Sequence, residues 1–292
     1  MAAKRAVAKN DPPKGRELSA VRERMDNVRG LLDRYKEQMS IALPKHLSPD
    51  RMLRLTMTTI ANEPKLLECT QSSLVGSVMQ LAQLGLEPGV LGHAYLLPYW
   101  NGKKQATEAQ IIVGYKGLLK LARNSGQIST VMANVVYEPE SSGVSGSFEY
   151  SYGLVDKLHH VPTDEPVTPD DLTHAYSIVK LKDGGVQWEV MNRREVLEVK
   201  SGSRAGNSGP WKTHEPEMWK KTVLRRICKL LPSSIELQTA IALDENADAG
   251  IPQTFDVIDV GALAEQENVE RSDQSQGDGG EAPGAEEQGA AE

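Results

Sequence analysis

From His93 to Met191 the sequence is laid out as short strand-like runs separated by turn dipeptides, and this layout favours antiparallel pairing. His93–Trp100 and Gln110–Tyr115 flank Asn101-Gly102, a pair suited to the positive φ angles of a tight hairpin. The second run begins several residues after that dipeptide, which leaves room for a longer loop. Further strand-like runs follow at Ile128–Tyr137, Ser147–Tyr152, Leu172–Leu181 and Val186–Met191, the last two joined across Asp183-Gly184-Gly185. Helical patterns flank and interrupt these runs. One extends from about Glu17 to Ala42. A second opens at Ser48-Pro49-Asp50, where a hydroxyl cap, a first-turn proline and an acid suit a helix N-terminus. A third covers Gln71–Leu84, with Gly85 placed to end it in the left-handed conformation. Shorter helices are expected at Tyr115–Ser125 and, behind the Asn192/Glu195 capping box, up to about Lys200; a last long one spans Pro216–Leu231. There is no βαβ alternation and no internal repeat, so the expected class is α+β with an N-terminal helical segment.

Charge divides the chain. Residues 244–292 hold 14 Asp and Glu against a single Arg, so residues 1–243 hold 32 Lys and Arg against 26 acids, and the overall charge of −7 conceals a basic body. This fits a nucleic-acid binder with an acidic extension. Three parts are expected: a polar arm and helix at 1–40, a core at 41–243, and a largely disordered acidic tail at 244–292, too poor in apolar residues to offset chain entropy. Within that tail, 254–263 alternates apolar and acidic residues, which suits an edge strand, a partner-binding segment or a plain acidic linker. No apolar run approaches the roughly 18 residues of a membrane span, and the basic N-terminus lacks the apolar stretch of a signal peptide. Cys69 and Cys228 are far apart and have no neighbouring Cys or His at ligand spacing, which points to a reducing cytoplasmic setting without structural zinc.

The helix after Pro216 is the most informative stretch. At about 100° per residue, Lys221, Thr222, Arg225, Arg226 and Lys229 share one arc, while Trp219, Val223, Leu224, Ile227, Cys228, Leu230 and Leu231 share the other. Met218 and Lys220 break the pattern. A stripe of cations with no acid repels itself along the helix, and contact with a polyanion would relieve that cost. Lys116, Lys120 and Arg123 repeat the theme on the helix opened by Gly114-Tyr115-Lys116-Gly117, whose first amides could add an anion site. Lys103 and Lys104 beside the hairpin turn, and Arg193 and Arg194 at the capped helix, would extend the cationic rows into a groove that follows a phosphate backbone. A solvated charged face is the plainer alternative for each row.

Single-strand binders also stack bases on aromatic rings. Tyr99, Trp100, Tyr115 and Trp211 lie beside glycines or cations and are candidates; core packing is the competing role for each, and Trp211 in its glycine-rich loop is the best placed. Catalytic motifs are missing: there is neither a G-x-x-x-x-G-K-[ST] phosphate loop nor a G-x-S-x-G elbow. The best enzymatic rival is a magnesium-dependent nuclease built on Asp170, Glu198 and Lys200, which have the residue types of a PD…ExK site. That site needs Glu and Lys on one face of a strand, however, and here they fall on a helix about 200° apart. The six histidines show no metal-ligand spacing, and no magnesium site is identified.

Three long blocks, QLGLEPGVLGHAYLLPYWNGKK…QIIVGYKGLLKLARNSGQI, LKDGGVQWEVMNRREV and NSGPWKTHEPEMWKKTVLRRICKLLP, resemble the RecT family of phage recombinases, a likeness covering about residues 30–245. More distantly, GPWKTH ahead of a basic helix is similar to the lambda Red beta annealing proteins. The resemblance implies a curved antiparallel sheet with packed helices. It also implies single-stranded DNA binding without ATP, annealing of complementary strands through a duplex intermediate, and assembly into rings or filaments. Implied partners are a phage-encoded 5′→3′ exonuclease and the host single-strand binding protein, in a bacterial cytoplasm and away from membranes. The family's groove cations map onto Lys116, Lys120, Arg123, Lys221, Arg225, Arg226 and Lys229, and its motif tryptophan onto Trp211. A simple single-strand coating protein is the other non-enzymatic possibility. The N-terminal helices, with their Met and Leu stripes, suit subunit contacts or core packing.

Overall fold

The computed structural model describes residues 15–89, 91–231, 234–253 and 255. The expected polar arm at 1–15, except for Gly15, which opens α1, lies outside the described residues, as do 254–263 apart from Phe255 and the rest of the acidic stretch.

Four helices come first. α1 (Gly15–Arg34) and α2 (Lys36–Ala42) divide what reads as one helical pattern, because Tyr35 between them leaves helical geometry at φ −88°, ψ 5° to bury its ring. In α3 (Pro49–Asn62) the Ser48 hydroxyl accepts from the Arg51 amide at 3.3 Å, and Met52, Leu53 and Ile60 face inward. α4 (Gln71–Leu84) is the central helix, buried along most of its length, and it ends at Gly85 with φ 65° as expected of a left-handed cap.

Antiparallel strands follow. β1 (Ala94–Asn101) and β2 (Ala106–Val113) form a two-stranded sheet. Its turn is longer than two residues: Asn101 Oδ1 accepts from the amides of Lys103 and Lys104, and Gln105 takes a φ of 51°. After α5 (Tyr115–Asn124) come β3 (Ile128–Tyr137) and the single turn α6 (Glu138–Ser141), then the hairpin β4 (Ser147–Ser151) and β5 (Lys157–Val161). β6 (Leu172–Leu181) and β7 (Val186–Asn192) complete a second antiparallel sheet in the order β3-β6-β7. The class is thus α+β, with the antiparallel strands distributed over three sheets. β5 is invisible to hydropathy because half of its inward face is His160, which bonds to the Tyr176 hydroxyl at 3.0 Å and pairs with buried Glu140 at 3.2 Å.

The larger sheet is covered on both faces. Over one end of the first, the β4–β5 hairpin packs Phe148 against Val136, Tyr176 and Val190. On the second, Leu172, Ala175 and Met191 meet Val196 of α7 (Arg193–Gly202), Trp211 of α8 (Pro210–Thr213), and Trp219 and Val223 of α9 (Glu215–Cys228). A further helix, α10 (Ile235–Ala249), follows α9 and runs straight through the point at which the composition turns acidic. Its inward residues are Leu237, Ala240, Ile241, Asp244 and Ala247, so an aspartate occupies a core position. That aspartate explains why the helix reads as the start of a tail.

Candidate nucleic-acid interface

The cations of α9 divide into two groups. Lys221 and Arg225, expected on an open stripe, are buried instead. Lys221 Nζ donates to Asp244 at 2.7 Å, and Arg225 donates to Asp244 at 3.0 Å and also to Asp248. Burial opposes the charge of Arg225, but Asp244 and Asp248 outweigh it and hold its pKa above the ordinary value. The acids that neutralise the stripe therefore come from the helix taken for tail. Arg226 remains partly exposed but bonds to Glu195 at 2.7 Å and Glu189 at 2.8 Å, and Lys229 pairs with Glu245. Half of the α9 stripe is thus an internal seam, and its exposed half is paired with carboxylates.

Other candidates are also engaged. Lys120 donates to the Gly85 carbonyl at 2.8 Å, closing the C-terminus of α4, where a cation suits the negative end of the helix dipole. Burial pushes its pKa down despite the nearby Glu87. Arg193 staples the start of β6, donating to the carbonyls of Asp170 at 2.8 Å and Leu172 at 2.6 Å. Lys104 bonds to Glu108 at 2.7 Å across the hairpin turn. Trp211 is 2% exposed, beneath Lys200 Nζ at 5.7 Å from its ring, so it is a core residue and no stacking platform. Tyr99 is covered by the Arg204 guanidinium at 4.7 Å, whereas Trp100 is 56% exposed next to the turn. Tyr115 is half-buried at the start of α5.

Four of the expected cations remain exposed with no side-chain hydrogen bond or ion pair among the described residues: Lys103 at the β1–β2 turn, Lys116 and Arg123 on α5, and Arg194 on α7. The position of Lys116 follows from its glycines. A Cβ at Gly114 or Gly117 would collide with the carbonyls of Gly92 and His93, so only Gly-x-x-Gly lets the 92–93 segment lie against the first turn of α5. Gly114 offers no side-chain cap, and the exposed lysine stands at the positive end of the helix. Arg204 was missed. It lies on the glycine-rich loop after α7, its stem against Gly250 and its guanidinium on Tyr99, with no carboxylate partner. The isolated arginine in SGSRAGNSG was the one signal in the sequence.

The nuclease constellation does not assemble. Glu198 and Lys200 lie on helix α7, Lys200 is taken by Glu215 at 2.9 Å, and Asp170 sits in a 3-10 turn whose carbonyl Arg193 occupies. Among the described residues no group of three or more His, Cys, Asp or Glu could hold a metal ion, and no helix is long and apolar enough to cross a membrane.

The antiparallel α+β body presents exposed cations without ion-pair partners from a hairpin turn, at Lys103, and a helix N-terminus, at Lys116. Comparison with known families identifies the class: the RecT family model matches residues 50–258, and the chain belongs to that family of single-strand annealing, DNA-binding proteins of recombination. Protein RecT of Escherichia coli (strain K12) is 44% identical over 237 residues, covering 80% of this chain and 84% of that protein.

Proposed function

We propose that this protein binds single-stranded DNA by its sugar–phosphate side, assembles on it in many copies, and anneals it to a complementary strand without ATP or another nucleotide. The observation that supports this reading is the set of exposed cations without carboxylate partners: Lys103, Lys116, Arg123 and Arg194, joined by Arg204. Few phosphates are neutralised by one copy, so affinity must come from many copies on one strand and must fall with salt. Base edges left open can pair with a second strand, and pairing supplies the sequence specificity. No covalent step is required of the protein. In the cell, the reading places it in a bacterial cytoplasm beside a 5′→3′ exonuclease that exposes the strand and a host single-strand binding protein that covers it.

The test is strand annealing with labelled complementary oligonucleotides in the absence of ATP. Faster pairing supports annealing, whereas tight binding that retards pairing indicates a coating protein. Degradation with magnesium that is lost in Glu198→Ala would reinstate the nuclease.

A further inference from the structure

The two larger strand pairings treat their edges differently. An unpaired strand edge invites another strand, and proteins guard edges with proline, charge or covering groups. The outer edge of β2 is sealed residue by residue. The Thr107 carbonyl accepts from the Thr70 amide at 2.9 Å, and Ala109 donates to Ser73 Oγ at 2.9 Å and accepts from Ser77 Oγ at 3.1 Å. Ile111 is clasped by the buried Gln253 amide, N–H to Oε1 at 2.7 Å and carbonyl to Nε2 at 2.8 Å. The edge of β1 carries Pro98 at its middle, and Gly89 donates to its Ala94 carbonyl at 2.9 Å. That sheet cannot grow.

The β3-β6-β7 sheet is protected only in part: on β3, Glu140 Oε2 accepts from the Tyr137 amide at 2.6 Å and Val131 is buried, but the middle of the strand is not sealed by hydrogen bonds. The Leu181 amide donates to Gly185 and the Lys182 amide to Gln127, so odd-numbered residues of β6 face β7 and even-numbered residues face β3. By that alternation Val131, Ala133 and Val135 of β3 direct their N–H and C=O groups outward, and none has a hydrogen-bond partner among the described residues. β3 also contains no proline and no charged residue over Ile128–Tyr137. On the opposite edge Val186 and Trp188 of β7 have no hydrogen-bond partner among the described residues, while the Val190 amide donates to the Tyr152 hydroxyl at 3.1 Å and the Asn192 amide to Glu195 Oε2 at 3.0 Å.

The side chains at both edges match. Met132, Ile178 and Trp188 form one row across the sheet on the face that the β4–β5 hairpin covers, with Ile178 and Trp188 partly buried against the hairpin's cluster and Met132 beyond it. At the β3 end of the row Met132 is 44% exposed; at the β7 end exposed Tyr152 stacks on Trp188 at 4.5 Å, and Val186, two residues before Trp188 on the same face, is 56% exposed.

We propose that the occupant of the β3 edge is a second copy of this chain, whose β7 edge pairs with it in parallel and continues the sheet. The contact buries Met132 of one copy against Val186 and Trp188 of the next. Because donor and acceptor edges differ, the contact is head-to-tail, and repeating it on a twisted sheet gives a ring or a helical filament and no closed pair. This rests on the reading that the protein works as an assembly.

Ala133→Pro and Val186→Pro each remove an outward N–H without breaking a bond to β6. The full chain is sedimented with a poly-dT strand and without it. Each variant should need about tenfold more protein or greater to assemble than the unaltered chain. An equal mixture of the two should stop at pairs, since each supplies the edge the other lacks. Amide exchange in the unaltered chain, which does not depend on the variants folding, should slow at Val131, Ala133 and Val135 on assembly. Assembly of Ala133→Pro at the unaltered concentration, or unchanged exchange at those three amides in the assembled protein, overturns the edge contact while leaving annealing by assembly intact. An unaltered chain that remains single on DNA overturns both.

Discussion

The α9–α10 seam and the α5 surface begin from nearly the same residues and end in opposite surroundings. Lys221, Arg225 and Lys229 recur every fourth residue on α9; Lys116, Lys120 and Arg123 do much the same on α5. On α9 Lys221 and Arg225 meet Asp244 and Asp248 and become interior, while the exposed Lys229 pairs with Glu245. On α5 only Lys120 is drawn inward, to the Gly85 carbonyl, and the other two stay open. Periodicity locates a face, but the neighbouring element decides whether that face is a ligand surface or an ion-pair core.

The largest effect should come from breaking the seam. Asp244 is fully buried between two cations, and removing it leaves both uncompensated. Asp244→Ala should cost about 3–5 kcal/mol, read as a fall in thermal or denaturant midpoint. A triple change to Asp244→Leu, Lys221→Met and Arg225→Met should recover most of that loss, because a well-packed apolar core can replace a buried charge cluster. A triple variant as unstable as the single one would show that the charges contribute more than mutual compensation.

The same contrast shows what could be read in advance. The hairpins, the Ser48 and Asn192 caps and the Gly85 terminator were legible because each depends on residues a few positions apart. Lys103, Lys116, Arg123 and Arg194 were legible as exposed cations for the same reason. What escaped depends on partners distant in sequence. Asp244 looks like solvent-facing tail until Lys221 and Arg225 are known to lie over it. Trp211 looks like a platform until β6 and α9 close around it. Arg204 gains its place from Tyr99 on β1, and β5 its inward histidine from Tyr176, which it bonds, beside the buried Glu140.

Next in size, Lys116→Ala with Arg123→Ala should leave the melting temperature unchanged and weaken single-strand binding. The slope of log affinity against log salt should shrink by roughly 0.7 for each phosphate that is no longer neutralised. Lys221→Ala should instead lower stability first. An unchanged slope in the α5 double variant would remove that helix from the interface. Cysteine reactivity separates the regions in the same way. Burial pushes the Cys228 thiol on α9 up to about 12, and Cys69 is likewise held at about 12 by burial and by the nearby Glu68 and Glu108. Both should resist alkylation at neutral pH, and Asp244→Ala should speed labelling of Cys228 well before that of Cys69.

The smallest expected effect concerns the ion pair beside α5. Arg51 grips the buried Glu87 carboxylate, through Nε to Oε1 and through Nη2 to Oε2 at 3.3 Å. The Arg51 hydrogen bond, opposed by burial and aided by the charges of Arg51, Lys120 and His93, holds the Glu87 pKa below the usual glutamate value. A depressed folded pKa means that the stabilisation is complete above the ordinary glutamate range and disappears as pH falls through the lower, folded value. Because Arg51 is half exposed, solvent screens the pair and the effect is modest. Stability of the unaltered chain and of Glu87→Gln, followed from neutral to acid pH, should differ at neutrality and converge in acid. A gap that stays constant across that range would assign Glu87 a role in packing alone and would leave Lys120 as the charge that matters at this end of α5.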